Sequence, residues 1–144
     1  MHPRTAEFFE IQELVPDFIF RKYGQRSWQF LDVRAVNTLV ALRILAGVPF
    51  TVNDKYRGGT FNFSGYRPCS TKIGASESQH RHGRAFDPKA KGMTPQQIHK
   101  IIRDNQEELM GWGLTTIEDL RDTPTWTHID TRYTGMDTLN VVRP

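Results

Sequence analysis

The sequence predicts an α+β domain: two or three helices flanking a small, mostly antiparallel sheet. Two observations carry this. Two segments have capping residues followed by apolar side chains at helical spacing, and short runs of strand-forming residues lie around them, bounded by Gly, Pro and Asn. With 144 residues, no internal repeat and no Gly/Ser linker, one domain covering 1–144 is expected.

The elements follow in order. Residues 4–15 suit a short helix ending before Pro16. The clearest helix is 33–46: Asp32 caps it, Val33, Val36, Val40 and Ile44 form a stripe, and Gly47 with Pro49 stops it. Residues 49–53 read as a strand. Asn53-Asp54 and Gly58-Gly59 then mark a loop before a second strand at 60–66. A polar loop over 67–83 leads to a short strand, 84–87, ending at Pro88. Thr94, Pro95 and Gln97 are an N-cap, a first-turn Pro and the third residue of a capping box, so a helix runs over 95–109 with Ile98, Ile101, Ile102 and Leu109 inward. Residues 111–114 and 125–131 read as strands separated by a charged loop.

Composition narrows the function classes. A single Cys (Cys69) rules out an intramolecular disulfide framework. The longest apolar-rich stretch, 33–50, contains Arg34, Asn37 and Arg43, so no membrane span is expected. Glu7 and Glu10 interrupt the N-terminal segment and no apolar run follows Arg4, so no signal peptide is expected and the chain is placed in the cytoplasm after synthesis. Nineteen basic against sixteen acidic side chains give +3, with a pI near 9.2. The basic residues are scattered, the densest cluster being the pair Lys89 and Lys91. That pattern suits a solvated basic surface better than a nucleic-acid patch.

Chemistry concentrates in two places. Ser78-Gln79-His80-Arg81-His82-Gly83-Arg84-Ala85-Phe86-Asp87 brings imidazoles and a carboxylate together, with small residues that permit close backbone approach. About forty residues on, Trp126-Thr127-His128-Ile129-Asp130-Thr131-Arg132 would, as a strand, put Trp126, His128, Asp130 and Arg132 on one face. Catalytic zinc takes three protein ligands and leaves a position for water, and His80, Asp87 and His128 would supply such a set. Spacing leaves a plainer alternative open: His80 and His82 as exposed loop residues, Asp87 as a turn cap, and His128 as a half-buried strand histidine bonded to a carbonyl.

The pattern Ser-x-His-x-x-Gly-x-Ala-x-Asp, met by Ser78, His80, Gly83, Ala85 and Asp87, resembles the first zinc motif of the D-Ala-D-Ala carboxypeptidase/endolysin metallopeptidases, which share the hedgehog/DD-peptidase fold. Trp126 and His128 are similar to the Trp-x-His of the second motif, and Ser64-Gly65-Tyr66-Arg67 to a segment preceding the first. The three motifs span 64–132, about half the chain. The resemblance implies that His80, Asp87 and His128 hold Zn²⁺. It implies that Arg67 steadies the developing oxyanion or a substrate carboxylate, that Ser78 touches the substrate backbone or orients the loop, and that Trp126 lies on the substrate side. His82, at a position the motif does not fix, is read as substrate-facing or solvated.

The general base departs from the pattern. Many members carry an acid three residues before the last His, where this chain has Thr125. Asp122, six residues before His128, is the preferred base by resemblance to hedgehog-type domains; Glu118, Asp119 and Asp130 are alternatives. Asp130 is expected instead to orient a ligand imidazole or pair with Arg132.

The implied activity is zinc-dependent hydrolysis of a peptide bond in bacterial peptidoglycan, D-Ala-D-Ala or L-Ala-D-Glu, by a monomeric phage enzyme. The partner would be the stem peptide, reached from the host cytoplasm at lysis or from the virion. Two other readings are a non-catalytic zinc-containing module, suggested by Thr125, and a nucleic-acid-binding protein, resting on charge alone.

Overall fold

Helix α3 (Val33–Ala46) is the spine of the fold. In the computed structural model, which describes residues 1–143, the Asp32 carboxylate accepts from the Arg34 amide at 2.8 Å, and Gly47 ends the helix in the left-handed region. Its buried residues are Ala35, Val36, Thr38, Leu39, Val40, Ala41 and Leu42. They lie on more than one side because α3 is enclosed by α1 (Thr5–Phe8), α4 (Pro95–Asp104), α5 (Gln106–Trp112) and the sheet. The expected single stripe is therefore wrong at its ends, where Val33 and Ile44 are exposed. Helix α2 (Asp17–Tyr23) and the 3₁₀ segment Gly24–Phe30, neither of them anticipated, pack together beside this core.

The strands are short. β1 (Phe50–Thr51) pairs antiparallel with β3 (Lys89–Ala90). A second sheet has the order β2 (Ala85–Phe86), β5 (Ile129–Asp130), β4 (Thr116–Glu118), β6 (Asn140–Val142). β5 is antiparallel to both neighbours, but β4 and β6 are parallel, so the sheet is mixed rather than purely antiparallel. The α+β class is as expected. Phe86, Ile129 and Ile117 form one register row and are all buried in the core. Alternation turns the neighbouring row, Ala85, Asp130 and Thr116, to the opposite face.

Several predicted elements differ. Residues 60–66 form no strand: the Phe61 carbonyl accepts the amides of Asp54 and Lys55, and the Ser64 amide donates to the Asn53 side chain, so this backbone is committed to loop contacts. Residues 111–114 are not a strand either. Gly111 and Trp112 finish α5, and the sheet resumes only at Thr116. The helix expected over 95–109 breaks at Asn105 into α4 and α5, after starting on the predicted Thr94 capping box. The helix expected over 4–15 is α1 followed by the 3₁₀ turn Ile11–Glu13. Among the described residues no helix is long and apolar enough to cross a membrane.

Candidate metal centre

His80 sits on the 3₁₀ turn Gln79–His82, which Gly83 terminates at φ +66°. The Gly83 carbonyl accepts from the Asp32 amide, and a Cβ at Gly83 would lie 2.0 Å from the Phe30 carbonyl oxygen. The turn is thus pressed against the entry to α3 at a place only glycine fits. Gly65 is equally constrained, since its Cβ would meet the Leu14 carbonyl at 2.1 Å, and its own carbonyl accepts from His80 Nδ1 at 2.8 Å.

Sheet register supplies the rest. Phe86 faces Ile129, and Ile117 faces Ile129 from the other side. One residue further along, Asp87 and Glu118 therefore flank His128, all on the face turned from the core. The distances agree: His128 Nδ1 is 2.9 Å from Asp87 Oδ1 and 3.8 Å from Glu118 Oε1. His80 Nε2 reaches the same Asp87 oxygen at 3.2 Å. One nitrogen from each of these imidazoles and a carboxylate oxygen of Asp87 lie within 4.8 Å of one another, and all three residues are buried.

The outer bonds fix which atoms face inward. A carbonyl can only accept, so His80 carries its proton on Nδ1 and turns the Nε2 lone pair to Asp87. His128 Nε2 donates to the Asp130 carboxylate at 3.0 Å, leaving Nδ1 inward. With both rings neutral, two nitrogen lone pairs and a carboxylate oxygen converge on one hollow with nothing positive between them. A cation fits that arrangement, and the group could hold a metal ion.

Without a metal, protons take its place. Burial works against a charged His128, but the hydrogen bonds it donates to Asp130 and Asp87 outweigh it and push its pKa up to about 9. Burial pushes His80 down, keeping it neutral. Burial would raise Asp87, yet the two imidazoles overcome it and hold the carboxyl well below the usual range.

Arg67 does not reach freely into solvent. Its Nη2 donates to Asp87 Oδ2 at 2.9 Å and its Nε to the Phe63 carbonyl at 2.6 Å, so it holds Asp87 with the other oxygen aimed at the histidines. These groups open into a cavity of about 670 Å³ that also contains Ser78, Lys89, Glu118, Trp126 and Arg132, a size suited to a peptide-sized ligand. Burial pulls the Lys89 pKa down to about 8.

Two expected site residues lie elsewhere. Asp122 is not part of the cavity wall; both its oxygens take bonds from Arg143, at 2.8 and 3.1 Å. His82 is exposed and also outside the wall, because the turn that buries His80 directs His82 away. Asp119 is turned to Arg121, and Asp130 is wholly occupied by His128 and Arg132. Of the four acids weighed as base, Glu118 alone combines cavity exposure with proximity to His128. Lys89, in the sequence no more than half of a basic pair, and Phe61 are site residues that local pattern does not reveal, since their place in the wall depends on the β1–β3 pairing and the loop before it.

No protein-family model matches the chain, and no match was found among curated proteins or solved structures.

Proposed function

We propose that the chain is a zinc-dependent peptidase of the hedgehog/DD-peptidase type that hydrolyses a peptide bond of bacterial peptidoglycan. The observation that carries the reading is the buried convergence of His80, Asp87 and His128 at the floor of a peptide-sized cavity, on the residues of the family motif. Two imidazoles and one carboxylate suit zinc better than the oxygen-seeking divalent ions.

His80 Nε2, Asp87 and His128 Nδ1 would hold the ion. When bound, zinc supplies Lewis-acid polarisation of the scissile carbonyl and a water acidified towards neutral pH. Glu118 accepts a proton from the attacking water on its carboxylate and returns it to the amine nitrogen as the C–N bond breaks and the C–O bond forms. Arg67 keeps Asp87 aligned, and Trp126 gives the peptide an apolar wall. Thr125, the feature that favoured a non-catalytic module, loses force once Glu118 stands beside His128.

The bond is of the D-Ala-D-Ala or L-Ala-D-Glu kind, and the +3 charge gives a modest attraction to an anionic wall. A phage lysis or entry enzyme acting as a monomer fits these features. The test is digestion of purified peptidoglycan by zinc-loaded protein, with mass spectrometry of the products. New stem-peptide termini are expected; intact muropeptides after prolonged incubation overturn the reading.

A further inference from the structure

Three basic side chains, Arg67, Lys89 and Arg132, line the cavity. Arg67 is paired with Asp87 and Arg132 with Asp130. Lys89 alone has no carboxylate partner among the described residues. Its ammonium donates to Ser64 Oγ and stands 4.2 Å from the centre of the Phe61 ring. Three donors with one hydroxyl acceptor and a ring face leave hydrogen-bonding capacity directed into the cavity.

The position is rigidly built. Lys89 lies on β3 opposite Thr51, and Ser64 is held on both sides: its amide donates to Asn53 Oδ1 at 3.0 Å and its carbonyl accepts from the Asp87 amide at 2.7 Å. The backbone that fixes a candidate metal ligand therefore also fixes the hydroxyl that aims Lys89. Asp87 and Asp54 attract the Lys89 ammonium through space without bonding it, so this half-buried cation, braced beside the candidate metal ligands, keeps donors for an anionic ligand.

We propose that Lys89, with Ser64 and Phe61, forms a subsite for a free carboxylate of the peptide substrate and selects peptides that carry one near the scissile bond. The inference rests on the peptidase reading for its substrate class. A peptidoglycan stem offers two sources: the C-terminal carboxylate and the α-carboxylate of the γ-linked D-Glu.

The experiment titrates zinc-loaded full-length protein, in a Glu118→Gln background so that peptides survive, with the pentapeptide L-Ala-γ-D-Glu-L-Lys-D-Ala-D-Ala. The free acid is compared with its C-terminal amide and with the form whose D-Glu α-carboxylate is amidated. Roughly ten- to hundredfold weaker binding is expected for one of the amides, the scale of one charge-assisted hydrogen bond, and which amide suffers names the source. Lys89→Met should abolish the difference and Lys89→Arg should keep most of it. A purely structural lysine would leave the acid-to-amide ratio unchanged in Lys89→Met, and that result overturns the proposal, as does equal binding of all three peptides by the protein that retains Lys89. Cleavage is scored separately with Glu118 restored. Discrimination without cleavage sinks the peptidase reading and spares the subsite; cleavage without discrimination does the reverse; neither binding nor cleavage sinks both.

Discussion

Asp130 accepts the Nε2 hydrogen of His128 at 3.0 Å from a side chain with no exposed surface. The same carboxylate takes bonds from the Arg132 amide and Nε at 3.1 and 3.0 Å. It therefore fixes the His128 tautomer and is itself fixed. In Asp130→Asn, the amide oxygen will turn to Arg132, which only donates, and the NH₂ group will face His128. The imidazole proton then shifts to Nδ1, the atom needed inward. Metal affinity should fall about 10–100-fold, as for other partners behind a metal ligand. Competition with a chromophoric chelator measures this, with circular dichroism to show the fold retained; undiminished affinity would count against the assigned tautomer.

Glu118 and Asp122 are four residues apart in sequence but differ in surroundings. Glu118 is 3.8 Å from His128 Nδ1 in the cavity wall, whereas Asp122 is paired with Arg143 outside it. Glu118→Gln should lower turnover by roughly 10²–10⁴ while metal stays bound. Asp122→Asn should leave turnover unchanged. Product release from muropeptides, with metal content measured on the same samples, checks both; the opposite ranking would return the base to Asp122.

The same contrast shows what could be read in the sequence. Helix α3, the start of α4 and the Ser78-to-Asp87 motif depend on residues within about one turn or ten positions, so caps, periodicity and spacing expose them. Glu118 depends on the register of β4 against β5, and Asp122 on a cation twenty-one residues away. Neither is a local property. The false strand at 60–66 arose because Phe61 and Phe63 alternate with polar residues, although Asn53 and Asp54 had already engaged that backbone. Trp112 differs for a related reason: it is a strand-forming residue that here closes α5 and packs against His2 at a tilt, with 4.6 Å between ring centres.

Gly83 and Gly92 separate backbone strain from close packing. Both have positive φ, +66° and +76°, but a Cβ at Gly92 meets nothing within 4 Å while one at Gly83 strikes the Phe30 carbonyl. Gly92→Ala should cost about 1–2 kcal/mol, the left-handed penalty alone. Gly83→Ala adds displacement of the His80 turn, so its cost should exceed that of Gly92→Ala and metal binding should weaken as well. Urea unfolding in chelator gives the two costs, and equal values would show that the Phe30 contact yields freely.

The metal-free cluster predicts opposite pH trends for stability and for metal binding. Burial disfavours charged His128, but Asp130 and Asp87 raise its pKa from 6.5 to about 9. A group with a raised folded pKa stabilises fully below its unfolded value, so this contribution is present below 6.5 and disappears as pH climbs through about 9. Asp87 has the opposite sign: burial opposes its charge, the imidazoles prevail, and its contribution is present above 3.8 and lost as pH falls further. Burial pushes the His80 pKa below 6.5, so the unfolded chain takes up a proton there that the folded chain does not, and stability rises as pH approaches 6.5. Chelated protein should thus be most stable near pH 6.5 and weaken towards pH 9. Metal must displace the His128 proton, so its affinity should rise over that upper interval. Melting temperatures of chelated and zinc-loaded protein from pH about 6 to about 9 should therefore diverge with rising pH. Curves that converge instead would mean that His128 is already neutral before metal arrives.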